Sequence, residues 1–478
     1  MNAIKYLFLG ALTLSFSAPA TAQDEQSPVE AVKEILKNKP ADAEKQIKSI
    51  YKSNKKDMDV VIGIARAYYE AADTANARIY AEYATTKNFP AAYVLLGDLY
   101  AKADDGGRAS AMYNSAIHFA RQKGGQPDAD AYYKYAVINR AVALSDAISK
   151  LDELATDRPD LAANGYVDLL KGRIYDLANK VENAAEAYAK VPVNTLEERD
   201  FLSAARAHYL LGEYEKSQQL VDAGLKSSPR KFTFNQLGMF NYTQLKNFDK
   251  ALEYADRMLN QSDSVKMNPE IYGVYAKALN GAKRHEEAID IYKKVLTLEF
   301  DSQDKKAGAI KDLADAYKRL DDYENALVYY DQFLKTVSHA SLSDFADLGR
   351  LYVQYADKLE GDAKLEKLKK ADEIYADLAE KNADAKEYSL FWRGRVNTMI
   401  DPESKEGLAK PYYEELANII NAKAEKDKAD NARLIESCRY MINYHLNVLD
   451  EKDNAKKYAE ILLSVDPENE IGKMVIGL

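Results

Sequence analysis

The chain holds a single cysteine, Cys438, and so can form no intrachain disulfide. Cys438 lies in the run Ser437-Cys438-Arg439-Tyr440-Met441, where a small buried side chain is the expected role and a reactive thiol the minor alternative. Breakers are scarce: 12 prolines and 21 glycines in 478 residues leave long segments free to run as regular structure. There is one tryptophan, Trp392, against 35 tyrosines. A tyrosine buries its ring while its hydroxyl reaches a polar partner or water, which suits thin two-layer helical proteins. Positive charge is in deficit. The net charge of −10 favours solubility and argues against general nucleic-acid binding.

Catalytic constellations are missing too. The histidines, His118, His208, His285, His339 and His445, are scattered with no metal-ligand spacing. No glycine-rich phosphate loop and no nucleophile elbow occur, and Gly106-Gly107 and Gly124-Gly125 read as turns between helices. The expectation is a protein that is not an enzyme, with no cofactor and no metal.

The one apolar run near membrane character is at the N-terminus. Lys5 precedes Tyr6-Leu7-Phe8-Leu9-Gly10-Ala11-Leu12-Thr13-Leu14-Ser15-Phe16, and Ala20-Thr21-Ala22 supplies a small-x-small cleavage pattern. Residues 1–22 are expected to be a secretory signal peptide, too short for an ordinary membrane span. No cysteine stands at the cut, which closes the lipoprotein route, and no later run is long and apolar. The expected location is across the inner membrane, in the periplasm.

What is present is a repeat. Tyr93-x-x-Leu96-Gly97-x-x-Tyr100 is followed by Ala109-x-x-x-Tyr113-x-x-Ala116, with a separation of twelve from Gly97 to Ala109. Twelve also separates Ala65 from Ala77, Tyr135 from Ala147, Gly172 from Ala184, Ala205 from Ser217, Ala276 from Ala288 and Ala314 from Ala326. Close packing explains the recurrence: a small residue on one helix is expected to meet a small residue on the next, with a large one four positions on, such as Tyr113, Tyr188, Tyr292 or Tyr330, filling the gap. Pro159, Pro229 and Pro467 fall where second helices should stop.

These residues resemble the tetratricopeptide pattern, W-x-x-L-G-x-x-Y…A-x-x-x-F…P, with its period of about 34 residues. The resemblance covers nearly all of the chain after the signal. It implies an all-α, right-handed superhelical solenoid of antiparallel helix pairs. The second-helix small residues Ala77, Ala109, Ala147, Ala184, Ser217, Ala251, Ala288, Ala326, Ala371, Ala409 and Ala455 count about eleven repeats over residues 57–467. Residues 23–56 are a linker with capping helices, and 468–478 a C-terminal tail. Three departures stand out. Tyr135 occupies a small-residue position, so its unit is expected to splay. About ten extra residues, by the repeat template, around Lys358-Leu359-Glu360-Gly361-Asp362 are expected to form a protruding hairpin. A shorter insertion lies near Asp401-Pro402-Glu403.

A helical solenoid offers a long concave surface. In the tetratricopeptide family the first helix of each pair lines it, and one lining position follows the first-helix small residue. That position reads Arg66, Asp98, Ala136, Arg173, Arg206, Met239, Lys277, Asp315, Arg350 and Arg395, basic in six of ten cases in an acidic protein. Three residues further on come Tyr69, Tyr209 and Tyr242. The expected partner-binding residues are therefore Arg66, Tyr69, Arg173, Arg206, Tyr209, Tyr242, Lys277, Arg350 and Arg395. Arginine grips carboxylates bidentately and tyrosine adds rigid contact area, so the stripe suits an acidic or C-terminal peptide. The competing reading is that these cations pair with acids on neighbouring helices, such as Asp168, Asp176 and Asp347.

The functional expectation is an extracytoplasmic interaction scaffold or adaptor for other envelope proteins or peptide segments. The alternative is a glycan- or small-ligand-binding envelope protein using aromatic residues such as Trp392. The lysine-rich stretch Lys33, Lys37, Lys39, Lys45, Lys48, Lys52, Lys55 and Lys56 reads as the solvated face of a cap, with peripheral contact to an anionic membrane as the alternative.

Overall fold

The computed structural model describes residues 27–477. The expected signal peptide, residues 1–22, lies outside the described residues, as do residues 23–26 and Leu478. Among the described residues there is no strand, and no helix is long and apolar enough to cross a membrane. Two units divide at Leu220 and Val221.

The first unit begins with α1 (Pro28–Asn38) and α2 (Ala43–Asn54). Then come α3 (Met58–Glu70), α4 (Thr74–Thr85), α5 (Pro90–Lys102), α6 (Gly106–Gln122), α7 (Ala129–Asn139) and α8 (Leu144–Asp157). A short α9 (Pro159–Ala163) leads to α10 (Tyr166–Leu177), α11 (Val181–Ala189) and α12 (Glu198–Leu210), and the division falls within α13 (Tyr214–Ser227). The second unit holds α14 (Phe232–Gln244), α15 (Phe248–Asp256), α16 (Pro269–Gly281), α17 (His285–Val295), α18 (Gln303–Arg319), α19 (Tyr323–Thr336) and α20 (Leu342–Ala356). It continues with α21 (Gly361–Lys381), α22 (Lys386–Ile400), α23 (Lys410–Asn421), α24 (Lys428–Asn443), α25 (Lys452–Val465) and α26 (Glu470–Ile476).

Within each unit consecutive helices pack as pairs: α3 with α4, α5 with α6, α10 with α11, α16 with α17, α18 with α19, α20 with α21. Second helices also pack on the first helix of the next pair, as α4 does on α5 and α19 on α20. That connectivity is an all-α solenoid of tetratricopeptide-like pairs. α1 rests on α2 and α3 as a cap, and α26 covers α25 through the buried Val475.

The turn inside most pairs has a common chemistry. Five residues before the second-helix small residue the backbone turns left-handed: Ala72, Asp104, Asn179, Gly212, Lys246, Lys283 and Asp321 all have positive φ. After Ala72, Asp104, Lys246 and Asp321 the next residue, an Asp or Asn, caps the second helix with its side chain. The Asn76 N–H donates to Asp73 at 3.0 Å, Arg108 N–H to Asp105 at 3.0 Å and Asn325 N–H to Asp322 at 3.1 Å.

The close packing differs from expectation in one respect. The first-helix glycine abuts the second-helix tyrosine. A methyl group on Gly97, Gly172, Gly238, Gly349 or Gly394 would meet the ring of Tyr113, Tyr188, Tyr254, Tyr375 or Tyr413 at 3.0 Å or less. The glycine admits a ring that is almost wholly buried, which contributes about 2–3 kcal/mol per side chain.

Tyr135 is not the small residue of its pair. Ala136, fully buried and eleven residues before Ala147, takes that place, so α7 and α8 close tightly with Ala147, Leu151 and Leu154 also fully buried. The two small residues are thus eleven rather than twelve apart, and the turn of residues 140–143 omits the left-handed residue. Val142, whose branched Cβ disfavours that conformation, stands there 84% exposed.

The insertion before Ala371 goes mainly into α21, whose 21 residues make it the longest helix among the described residues. Its hairpin does not project freely. Tyr355 stacks on Tyr323 of the preceding pair at 5.5 Å, and Lys358 pairs with Asp321 at 3.1 Å. The Asp401 loop is also packed: Asp401 accepts the Lys405 and Glu406 N–H groups, and Gly407 lies against Tyr444. Cys438 is fully buried, and burial pushes its thiol up to about 12, which fits the structural role.

Candidate partner-binding face

The lining position does not face solvent in every pair. Ala136 and Met239 are fully buried core residues. In α7 the register is shifted by one residue, Ala136 taking the small-residue place. In α14 Gly238 stands thirteen residues before Ala251, Tyr254 closes on it, and Met239 turns inward.

Where the position is charged, a second regularity appears. First helices of neighbouring pairs are joined by ion pairs. In the first unit Lys134 of α7 donates to Asp98 of α5 at 2.8 Å, and Asp98 also accepts the Tyr113 hydroxyl at 2.9 Å. Two reciprocal pairs join α10 and α12. Arg173 grips Asp200 with two bonds of 2.7 Å, and Arg206 donates to Asp176 at 2.9 Å. In the second unit Lys277 of α16 meets Asp312 of α18 at 3.0 Å, and Lys311 of α18 meets Asp344 of α20. Arg350 of α20 donates to its own helix's Asp347 and to the Tyr388 hydroxyl of α22 at 2.9 Å. Arg395 of α22 grips Glu436 of α24 bidentately at 2.7 and 2.6 Å.

Burial sorts these residues into two kinds. Arg173 and Asp200 are both buried, at 8% and 1% exposure, so their charges are committed to each other. Arg206 and Lys277 keep more than half of their side chains in water while paired, and Arg350 and Arg395 keep 42%. Burial holds the Asp98 and Asp312 carboxyls above the ordinary carboxylate value even with Lys134 and Lys277 beside them. Glu436 raises the Arg395 guanidinium further.

Arg66 differs from the rest: it is exposed, and among the described residues it has no ion-pair partner. One turn on, Tyr69 is half-buried with the Lys102 ammonium 5.0 Å above its ring. Tyr209 packs against Tyr214 at 5.5 Å, and Tyr242 lies between Tyr254 and Lys250. Trp392 is half-buried, stacked on Tyr375 at 5.6 Å with Arg395 5.3 Å from its ring, so only part of its face is open.

The partners Asp200, Asp312, Asp344 and Glu436 escape notice in the bare pattern. A signal for them exists, because each stands 27 to 41 residues after a cation at the lining position or one turn before it. Neither of two surface depressions is lined by the stripe. One, of about 510 Å³, lies among Asp249, Glu253, Asp256, Arg257 and Arg284; the other, of about 320 Å³, lies among Phe89, Val94, Lys123 and Gln126. Among the described residues no group of His, Cys, Asp and Glu could hold a metal ion.

No protein-family model matches the chain, and no curated protein matches it. The solved structures similar to it include two tetratricopeptide repeat proteins. One is the C-terminal part of a TPR repeat-containing protein from Cytophaga hutchinsonii, at 17% identity and a TM-score of 0.42, covering 65% of this chain and 100% of the other. The second is a tetratricopeptide repeat protein from Parabacteroides merdae, at 16% identity and a TM-score of 0.34, covering 55% of this chain and 98% of the other. At these scores the assignment of the fold rests on the helix pairing and the glycine–tyrosine contacts described above.

Proposed function

We propose that this chain is a non-catalytic scaffold of the bacterial envelope that holds a segment of another protein on its first-helix face. The observation that carries the reading is the solvent-exposed cations on first helices, Arg66 and Arg206 in the first unit and Lys277 in the second, in a protein of net charge −10. Arg206 holds the Asp176 carboxylate in a pair that its own side chain leaves mostly in water, worth about 1 kcal/mol or less. An incoming carboxylate can replace the internal one at little cost, while Arg66 is open to receive one directly. Tyr69 and Tyr209 lie one turn away and supply ring surface. The chemistry favours an acidic segment or a C-terminal carboxylate. The signal-peptide pattern of residues 1–22 supports a periplasmic location.

The test is capture of partners from envelope extracts by the wild type and by Arg66→Glu/Arg206→Glu. The double variant should lose the captured protein by at least tenfold with unchanged melting. Equal capture by a folded double variant refutes the assignment of this face.

A further inference from the structure

A second basic surface differs from the first-helix face in how its charges are paired. Residues 28–56 hold eight lysines against four carboxylates, Glu30, Glu34, Asp42 and Glu44, and contain no arginine. α2 divides them by side. Ile47 is fully buried, and Ile50 and Tyr51 pack half-buried on the same core. On the opposite side Lys45, Lys48 and Lys52 recur at i, i+3 and i+7, over roughly 10 Å of helix. Lys55 and Lys56 carry the charge into the following turn. Lys48 meets Glu44 at 2.6 Å, and Lys33 lies 3.4 Å from Glu30. Lys37, Lys39, Lys45, Lys52, Lys55 and Lys56 are exposed and make no ion pair among the described residues. On the first-helix face, most cations have an acid within reach; here most have none.

We propose that this lysine face docks the N-terminal cap on an anionic lipid surface. Lysine ammoniums are hydrated point charges on flexible stems, which suit a diffuse array of phosphates better than one fixed carboxylate. The side chains between them, Gln46, Ser49 and Ser53, are exposed and polar. No aromatic ring stands on this side of α2 to stack on a nucleic-acid base, and no apolar group to insert among acyl chains. Attachment is therefore electrostatic and salt-sensitive, and the acidic remainder of the chain is repelled by the same surface, so only the cap approaches it.

Co-sedimentation of the chain from Gln23 onward with phosphatidylcholine vesicles, with and without phosphatidylglycerol, tests this. Binding is expected only with phosphatidylglycerol, at low salt. At about fivefold per lysine, Lys45→Gln/Lys52→Gln/Lys56→Gln should weaken it on the order of a hundredfold. The matching lysine-to-arginine variant should retain binding, and both should melt as the wild type does. Absence of binding to phosphatidylglycerol vesicles overturns the proposal. So does binding that the glutamine variant leaves unchanged, or retention by immobilised polyglutamate but not by vesicles. None of these outcomes bears on the first-helix face.

Discussion

Gly97→Ala isolates the contact on which the helix pairs are built. In an unencumbered helix this change stabilises, by about 1 kcal/mol, because alanine loses less backbone freedom than glycine. Here the new methyl group would lie under 3.0 Å from three atoms of the Tyr113 ring. The ring cannot simply swing away. It is 2% exposed, its hydroxyl donates to Asp98, and Asp98 is held in turn by Lys134 of the next pair. Overpacking of this kind costs about 1–3 kcal/mol. Displacing the hydroxyl from a charged acceptor costs about 1.5–3 kcal/mol more. Net of the helix gain, Gly97→Ala should destabilise by about 3 kcal/mol. Gly308→Ala is the control: Gly308 is inside α18, exposed, and a Cβ there meets nothing within 4 Å. It should stabilise by about 0.5–1 kcal/mol. Urea unfolding followed by far-ultraviolet circular dichroism compares the two, and hydrogen exchange in α5 and α6 localises the loss. A Gly97→Ala protein as stable as Gly308→Ala would show that the glycine–tyrosine contact does not set the approach of the helices.

Two further predictions separate the charges that build the fold from those open to partners. Arg173→Met strands the Asp200 carboxylate in a buried site and should cost about 3 kcal/mol, whereas Arg206→Ala, in an exposed pair, should cost under about 1 kcal/mol; similar urea midpoints for the two variants refute the distinction. Asp430, in the first turn of α24, has its carboxyl held below the usual range chiefly by the Lys423 ammonium at 2.9 Å. A depressed folded value gives stability that is present above the unfolded value of about 3.9 and is lost as pH falls through the folded one. Asp430→Asn should therefore lower the unfolding midpoint at neutral pH and not below that range, and an equal deficit at both pH values contradicts the linkage.

The pairing of helices was legible because it has a short-range cause. The turn needs a left-handed residue followed by a cap, and Asp104-Asp105 and Asp321-Asp322 place both at a constant distance from Ala109 and Ala326. Register slips of one residue were not legible. Tyr135 and Ala136 stand twelve and eleven residues before Ala147, and only the packing of α7 on α8, which buries Ala136 fully, decides between them. The cations of the face were readable as a set, but their separate roles were not. Arg173 and Arg206 occupy equivalent repeat positions and differ because Asp200 is buried and Asp176 is not, a consequence of packing between successive pairs. The long insertion was found, but its docking through Tyr355 onto Tyr323 depends on a neighbour one repeat away.

The central claim is that partners are held on the first-helix face. Photo-crosslinking groups placed singly at Arg66 and Arg206, and at the exposed second-helix positions Ile79 and Val328, test it in envelope preparations. The account predicts a discrete crosslinked protein from positions 66 and 206 and none from 79 and 328. Crosslinks from the second-helix positions alone would contradict it.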